Sequence, residues 1–182
     1  MDIFAHALWA SAGAKKLNDS LEKKEKPKIS IYWSAFWSIF PDIFAFGVPT
    51  MWSTVLVVLG GKSISEISHH GPHLSAGDPT FNLASYLYQY SHSIIIFLIV
   101  FGIVWLIFKK PKLVMLGWLL HIILDIPSHS LQFFPTPFLF PISDYHFPYG
   151  IIWSNTWFMI INYSLLLVIL MYLFIRKKNT FK

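Results

Sequence analysis

Residues 94–126 read IIIFLIVFGIVWLIFKKPKLVMLGWLLHIILDI, and this stretch decides the fold class. Its first part, residues 94–108, has no charged side chain, and lysines separate it from a second apolar part at residues 113–126. A helix needs about 20 apolar residues to cross a bilayer. The first part reaches that length when it is extended back through the tyrosine-rich residues 86–90. The pattern therefore predicts two membrane-spanning helices joined by a basic turn.

Two further apolar stretches predict spans. Residues 151–175 carry no charge, and residues 29–59 carry only Asp42, although Pro41, Gly47 and Pro49 indicate a bent or broken helix there. The first 14 residues are apolar but too short to cross, and residues 15–28 form a charged connector. We expect an all-α, polytopic membrane helical bundle of about four spanning helices plus a short N-terminal helix, in one domain over residues 1–182.

The composition excludes several classes of protein. Of the 182 residues, 55% are hydrophobic and 13% are charged, against roughly 25% charged in soluble domains. A soluble globule of this size has too much surface for so few charges, and a disordered chain needs low hydrophobicity. Because cysteine is absent, disulfides, thiolate metal sites and cysteine nucleophiles are excluded.

The basic residues predict the orientation in the membrane. With four spans, all Lys and Arg residues except Lys62 fall on one side, which the positive-inside rule makes cytoplasmic. Both basic termini would then be cytoplasmic. The net charge of +5 also favours contact with anionic membrane lipids as partners. Nucleic acid is not expected as a partner, since no base-stacking platform accompanies the lysines.

Some ionisable residues lie inside apolar segments, where an unpaired one costs several kcal/mol. Each is therefore a functional candidate by default. His6 joins this set because it lies in the apolar N-terminal segment, and His129 joins it because it lies one further helical step along the third span. The candidate metal ligands are His6, Asp42, His92, His121, Asp125 and His129.

The strongest local motif is H-x-x-x-D at His121 and Asp125. Spacing of four residues puts both side chains on one helix face, where they could reach one cation. Histidine nitrogen and carboxylate oxygen suit zinc or a related divalent ion. The alternative is a buried hydrogen-bonded pair that fixes helix packing. Pro127 requires a kink or a helix end, so His129 can lie off the regular face.

Four more histidines lie in loops. His69, His70 and His73 form a tract that resembles a short metal-binding segment, although Gly and Pro favour a solvated loop. His146 lies in a Pro- and Phe-rich loop over residues 133–148, which we interpret as a cover over the site. The roles of these four residues stay open.

The ordered set resembles a known family. His6 lies near the start, Pro41-Asp42 ends an apolar stretch, Ser91-His92-Ser93 opens a span, and H-x-x-x-D precedes a Pro-rich aromatic loop. This order resembles the inner-membrane metal-dependent hydrolases of bacteria and archaea, a family distantly similar to zinc-dependent phospholipase C and P1 nuclease. The resemblance covers roughly residues 6–148.

The resemblance implies a helical core with a metal cluster and a location in a prokaryotic inner membrane. The matching metal-binding positions are His6, Asp42, His92, His121 and Asp125, with His129 a weaker match, and Asp42 or Asp125 could bridge two ions. One departure affects the substrate class: family members often carry His-Arg-Gly shortly before the Ser-His-Ser, where this chain has residues 86–90 instead. A basic group for substrate phosphate is therefore missing there.

These observations predict a metal-dependent hydrolase acting on a phosphoester or lipid-linked substrate. One or two divalent ions, zinc by preference with manganese or magnesium as alternatives, would activate a water molecule. Asp42 and Asp125 are the candidate catalytic carboxylates, with Asp42 preferred for orienting that water. The alternatives are a metal or proton transporter and a structural helical bundle, both non-enzymatic.

Overall fold

The computed structural model describes residues 1–59, 79–132 and 134–179. Helices are the only regular secondary structure in these ranges, which confirms the predicted all-α class. A π-helical turn, Ile43–Gly47, joins α2 to α3, and a 3-10 turn, Leu113–Met115, leads into α6. The α-helices are α1 (Ile3–Glu22), α2 (Ile31–Asp42), α3 (Val48–Val58), α4 (Pro79–Ser91), α5 (Ile94–Phe108), α6 (Leu116–Ser128) and α7 (Thr156–Asn179).

The N-terminal helix is longer than predicted. The prediction of a connector over residues 15–28 was wrong in its start. Helix α1 continues to Glu22 because lysine, leucine and glutamate in this stretch favour helix. The Asp2 side chain caps its start by accepting from the Ala5 amide. Near its end, Asn18 accepts from the Ile29 amide at 2.8 Å and donates to the Ile29 carbonyl at 2.9 Å. These two bonds fix the return of the chain towards α2.

Two helices among the described residues are long and apolar enough to cross a membrane, or three if a bent pair is one span. The first covers Ile31–Leu56, because Ile43–Gly47, just after Pro41, form a π-helical turn rather than a break. The second covers Thr156–Leu173. The bent pair is α4 and α5, with an angle of 61° between them. Leu113–Ser128 is a shorter apolar helix, so the described residues do not reach four spans.

Helices α1, α2 and α6 pack closely. Ser38 of α2 donates to the His6 carbonyl of α1 at 3.0 Å. Gly117 of α6 faces the backbone of α2, where an added Cβ would overlap the Ser34 carbonyl oxygen. Beside it, the Trp118 and Trp37 rings stack with centroids 6.1 Å apart. Close backbone approach through small residues is typical of helix interfaces in membranes.

The outer surface is apolar over long stretches. Leu106 of α5 is 70% exposed and Val168 of α7 is 63% exposed, and several large apolar neighbours are similarly uncovered. Polar contacts instead point inwards: Trp9 of α1 donates to Asn162 of α7 at 2.9 Å, and Tyr163 donates to Asp2 at 2.7 Å. An exposed apolar surface with internal polar contacts favours a membrane protein.

Candidate metal centre

Four ionisable side chains meet inside the helical core. Asp42 ends α2, His92 lies at the bend between α4 and α5, and His121 and Asp125 are one turn apart on α6. One ligand atom from each of the four lies within 4.8 Å of the others. His92, His121 and Asp125 are fully buried, whereas the Asp42 side chain is 12% exposed. This group could bind a metal ion.

Five of the six distances between the ligand atoms are close to those in a single coordination shell, and the sixth is at most 4.8 Å. The Nε2 atoms of His92 and His121 are 2.9 Å apart. Asp42 Oδ1 lies 3.5 Å from the first and 3.8 Å from the second, and Asp125 Oδ2 lies 3.5 Å and 3.2 Å from them. Tetrahedral zinc with ligands at 2.0–2.1 Å requires about 3.3 Å between neighbouring ligand atoms. These five separations scatter around that value.

Asp125 also has a second set of neighbours. While its Oδ2 faces His92 and His121, its Oδ1 lies 3.0 Å from His6 Nε2 and 3.6 Å from His129 Nε2. The amino nitrogen of Met1 lies 2.5 Å from the same oxygen and 3.0 Å from His129 Nε2. His6 and His129 are thus adjacent to the four-residue group through Asp125, and sequence reasoning missed the Met1 amino group.

Hydrogen bonds set the tautomers of two histidines. His129 Nδ1 lies 2.8 Å from the Phe134 carbonyl, and since a carbonyl only accepts, that nitrogen carries the proton. His92 Nδ1 lies 2.9 Å from Ser91 Oγ, whose own proton is directed to the Leu87 carbonyl at 3.0 Å. His92 therefore donates from Nδ1. In both rings Nε2 keeps its lone pair, which is the arrangement found in metal-binding histidines.

Several buried polar atoms at the centre lack a hydrogen bond among the described residues. They are Asp125 Oδ2, both ring nitrogens of His6 and His121 Nδ1. A buried polar atom without a partner is costly, so such atoms need an explanation. A cation beside Asp125 Oδ2 would satisfy that oxygen, and a cation beside Oδ1 would satisfy His6 Nε2. The donor set and its unsatisfied atoms therefore fit a metal ion.

His6 and His129, the two histidines on the Oδ1 side of Asp125, are neutral at neutral pH. Desolvation by burial lowers the pKa of His6 to about 4, and it lowers the pKa of His129 to about 4. The protonated imidazolium is the form that burial penalises. Neutral imidazole is the form that binds a metal, so both residues are ready to act as ligands.

Sequence reasoning gave no role to Tyr88 and named Ser91 only as part of the Ser91-His92-Ser93 motif. Ser91 orients His92, and Tyr88 stacks on the His92 ring with centroids 3.7 Å apart. The only signal was the position of Tyr88, one helical turn before His92.

His146 is half-buried and is not one of the four grouped residues. The tract with His69, His70 and His73 lies outside the described residues.

Fold and site together define an all-helical protein with apolar helices that could span a membrane and a buried His/Asp group that could bind a metal ion. No protein-family model, curated protein or solved structure matches the chain. The family suggested by the order of the motifs therefore stays a prediction.

Proposed function

We propose that this chain is a metal-dependent hydrolase of the cell membrane that acts on a phosphoester in a lipid or lipid-linked substrate. The observation that carries the proposal is the convergence of Asp42, His92, His121 and Asp125. These side chains come from separate parts of an apolar chain in which each one is costly unless it is used. The phosphoester substrate rests on the family resemblance.

Zinc is the metal that the donor set favours, since two imidazole nitrogens and two carboxylate oxygens are borderline ligands. The first ion would be held by His92, His121 and Asp125 Oδ2, with Asp42 as a fourth ligand and a fifth position open to water. A second ion would be held on the other side of Asp125, by His6, His129 and Oδ1, and the Met1 amino group that lies there would have to move away or lose its proton and bind the ion. The support for two ions is that the two oxygens of Asp125 face different nitrogens.

The exposure of each side chain to solvent suggests its role in the proposed reaction. A bound divalent ion supplies a water molecule of lowered pKa and polarises a phosphoryl oxygen. Asp42 is the most exposed member of the group, so it would orient that water and accept its proton. Asp125 is fully buried and would hold the ligands in position. The buried histidines would exclude bulk water from the reacting atoms.

The proposed setting is a prokaryotic inner membrane, with four spans and both basic termini in the cytoplasm. Support comes from the candidate spans, the exposed apolar surfaces of α5 and α7, and the distribution of lysine and arginine. The short helix Leu113–Ser128 would be the fourth span, with its length completed by flanking residues or by local thinning of the bilayer. A lipid substrate would enter sideways from the bilayer.

Elemental analysis of the purified chain, followed by hydrolysis assays on a chromogenic phosphodiester and on phospholipid vesicles, tests the function. We expect bound metal and metal-dependent hydrolysis in the wild type. His121→Ala should lose both, and Asp42→Asn should lose hydrolysis. Asp144→Asn is the matched control, because Asp144 is an exposed carboxylate outside the cluster. Absence of metal from the wild type, or full activity of His121→Ala, would refute the proposal.

A metal transporter is the second candidate, and the 61° bend at His92 favours it. Broken helices at ion sites are typical of secondary transporters. Metal-dependent flux in proteoliposomes without hydrolysis would decide for transport. If the purified chain holds no metal and a chelator leaves its unfolding temperature unchanged, the cluster is instead a hydrogen-bonded structural group.

A further inference from the structure

Tyr88 contacts two histidines that come from different parts of the chain. Its ring stacks on His92 with centroids 3.7 Å apart and an interplanar angle of 24°. Its hydroxyl oxygen lies 3.2 Å from His129 Nδ1. The side chain is almost completely buried, at 3% exposure. Because His92 lies beside Asp125 Oδ2 and His129 beside Oδ1, Tyr88 connects the two sides of the centre.

The hydroxyl group has a defined set of partners. It donates to the Phe134 carbonyl at 3.1 Å, and His129 Nδ1 donates to the same carbonyl at 2.8 Å. Thr136 Oγ1 lies 3.5 Å away. Since the single hydroxyl proton is directed to the carbonyl, the oxygen of Tyr88 is free to accept from His129 Nδ1. The hydroxyl therefore supports the tautomer that leaves the His129 Nε2 lone pair facing Asp125.

The accepting carbonyl belongs to a strained residue. Phe134 has a φ of 43°, in the left-handed region that a bulky residue rarely adopts. Its ring packs edge-on against the Tyr88 ring, with centroids 5.5 Å apart. Tyr88 thus contacts Phe134 by ring and by hydroxyl. The strained backbone is held where its carbonyl meets the His129 ring.

We infer that Tyr88 is a positioning residue of the metal centre, whose ring fixes the plane of His92 and whose hydroxyl fixes the orientation and tautomer of His129. The inference rests on the proposed function, because it assigns Tyr88 a role only if the two histidines bind metal. Residues that hydrogen-bond to metal ligands typically change metal affinity by 10- to 100-fold when they are replaced. Tyr88 touches no candidate ligand atom and would act through the two rings.

The same helix offers a matched control. Tyr86 and Tyr90 contact each other through their hydroxyl oxygens at 3.1 Å on an exposed face. Tyr90→Phe therefore removes one tyrosine hydroxyl from α4 without touching the centre. Tyr88→Phe removes the hydroxyl and keeps the ring on His92, whereas Tyr88→Leu removes the ring as well.

The test is cobalt binding by the full chain in detergent, read by the visible absorption of bound Co²⁺ and by competition with a chelator. For Tyr88→Phe we expect the Co²⁺ affinity of one class of sites to fall by about 10- to 100-fold, with an altered absorption spectrum. For Tyr88→Leu we expect the Co²⁺ affinity of both classes of sites to fall. Tyr90→Phe should match the wild type, and thermal unfolding should show that Tyr88→Phe stays folded.

Each result has a separate meaning. A wild type that binds no cobalt overturns the metal centre itself. Wild-type binding together with unchanged affinity and spectrum in Tyr88→Phe overturns only the role of Tyr88, as does an equal loss in Tyr90→Phe. If Tyr88→Phe does not fold, nitrogen NMR of the imidazoles in metal-loaded wild type supplies the readout. Replacing the tyrosines with 3-fluorotyrosine makes the Tyr88 hydroxyl more acidic: a shifted His129 Nδ1 resonance then supports the inference, and an unchanged one overturns it.

Discussion

At the scale of single residues, Asp125 differs from the other members of the cluster because its two oxygens face different nitrogens. Oδ2 faces His92 and His121, whereas Oδ1 faces His6, His129 and the Met1 amino group. No other carboxylate among the described residues contacts as many histidines. A residue in this position should control both sides of the centre.

Replacing Asp125 should therefore reduce the metal content more than replacing His129 does. We expect Asp125→Asn to reduce bound metal below about one tenth of the wild-type value, since the amide puts an NH2 group in place of one ligand oxygen and leaves the other as an uncharged, weaker ligand. His129→Ala should remove only the ion beside Oδ1. Elemental analysis per chain measures both.

Asp19→Asn is the control for the Asp125 variant, because Asp19 is a partly exposed carboxylate that pairs with Lys15 on α1. It should keep the wild-type metal content. Equal metal loss in Asp125→Asn and His129→Ala would contradict the bridging role of Asp125. Retention of all metal by Asp125→Asn would contradict the site as a whole.

At the scale of helices, the centre depends on how closely α2 approaches α6. Asp42 lies on α2, and His121 and Asp125 lie on α6, so the spacing between these helices sets the separation of the ligand atoms. Gly117 is a point of close approach, because an added Cβ there would overlap the Ser34 carbonyl oxygen and lie 3.1 Å from Ser38 N. Only a residue without a side chain allows this contact.

Gly117→Ala should lower the unfolding temperature and weaken metal binding together. The added methyl group would push α2 from α6, and overpacking of this kind costs about 1–3 kcal/mol. Gly102→Ala is the matched control on α5, where an added Cβ meets nothing within 4 Å. There we expect unchanged or slightly raised stability, because alanine favours helix over glycine. Thermal unfolding and cobalt titration in detergent measure the two effects.

The element-scale account would be wrong if the glycine variants behaved alike. Equal unfolding temperatures for Gly117→Ala and Gly102→Ala would show that α2 and α6 do not need their close contact. Wild-type cobalt affinity in a destabilised Gly117→Ala would separate helix packing from the geometry of the centre.

At the scale of the whole molecule, the number of spans can be tested by labelling, because the chain has no cysteine. Single cysteines at the exposed positions Lys24, Lys110 and Tyr149 report on three loops. With four spans, an impermeant maleimide should label Tyr149→Cys in intact cells. It should label Lys24→Cys and Lys110→Cys only after the membrane is opened. External labelling of Lys110→Cys in intact cells would contradict the four-span topology.

Local pattern predicted much of the fold. Apolar stretches gave the helical class, and the π-helical turn after Asp42 lies where Pro41 and Gly47 indicated an irregularity. Length was harder to predict: α1 runs past the lysines at residues 15 and 16 to Glu22, because good helix formers continue it. The bend before α5 was not predicted, although Ser91-His92-Ser93 interrupts the apolar stretch there and Ser93 caps α5.

The sequence by itself determined the helical class and the ionisable residues that apolar segments make costly, among them Asp42, His92, His121 and Asp125. Both follow from local hydropathy and spacing, which each segment carries on its own. Only the tertiary structure decided that these residues meet, that Asp125 separates two groups of nitrogens, and that Tyr88 contacts both. Those facts depend on the packing of α2, α4 and α6, which are distant in the chain. Distances across such interfaces come from side-chain fit between helices, and no local pattern encodes that fit.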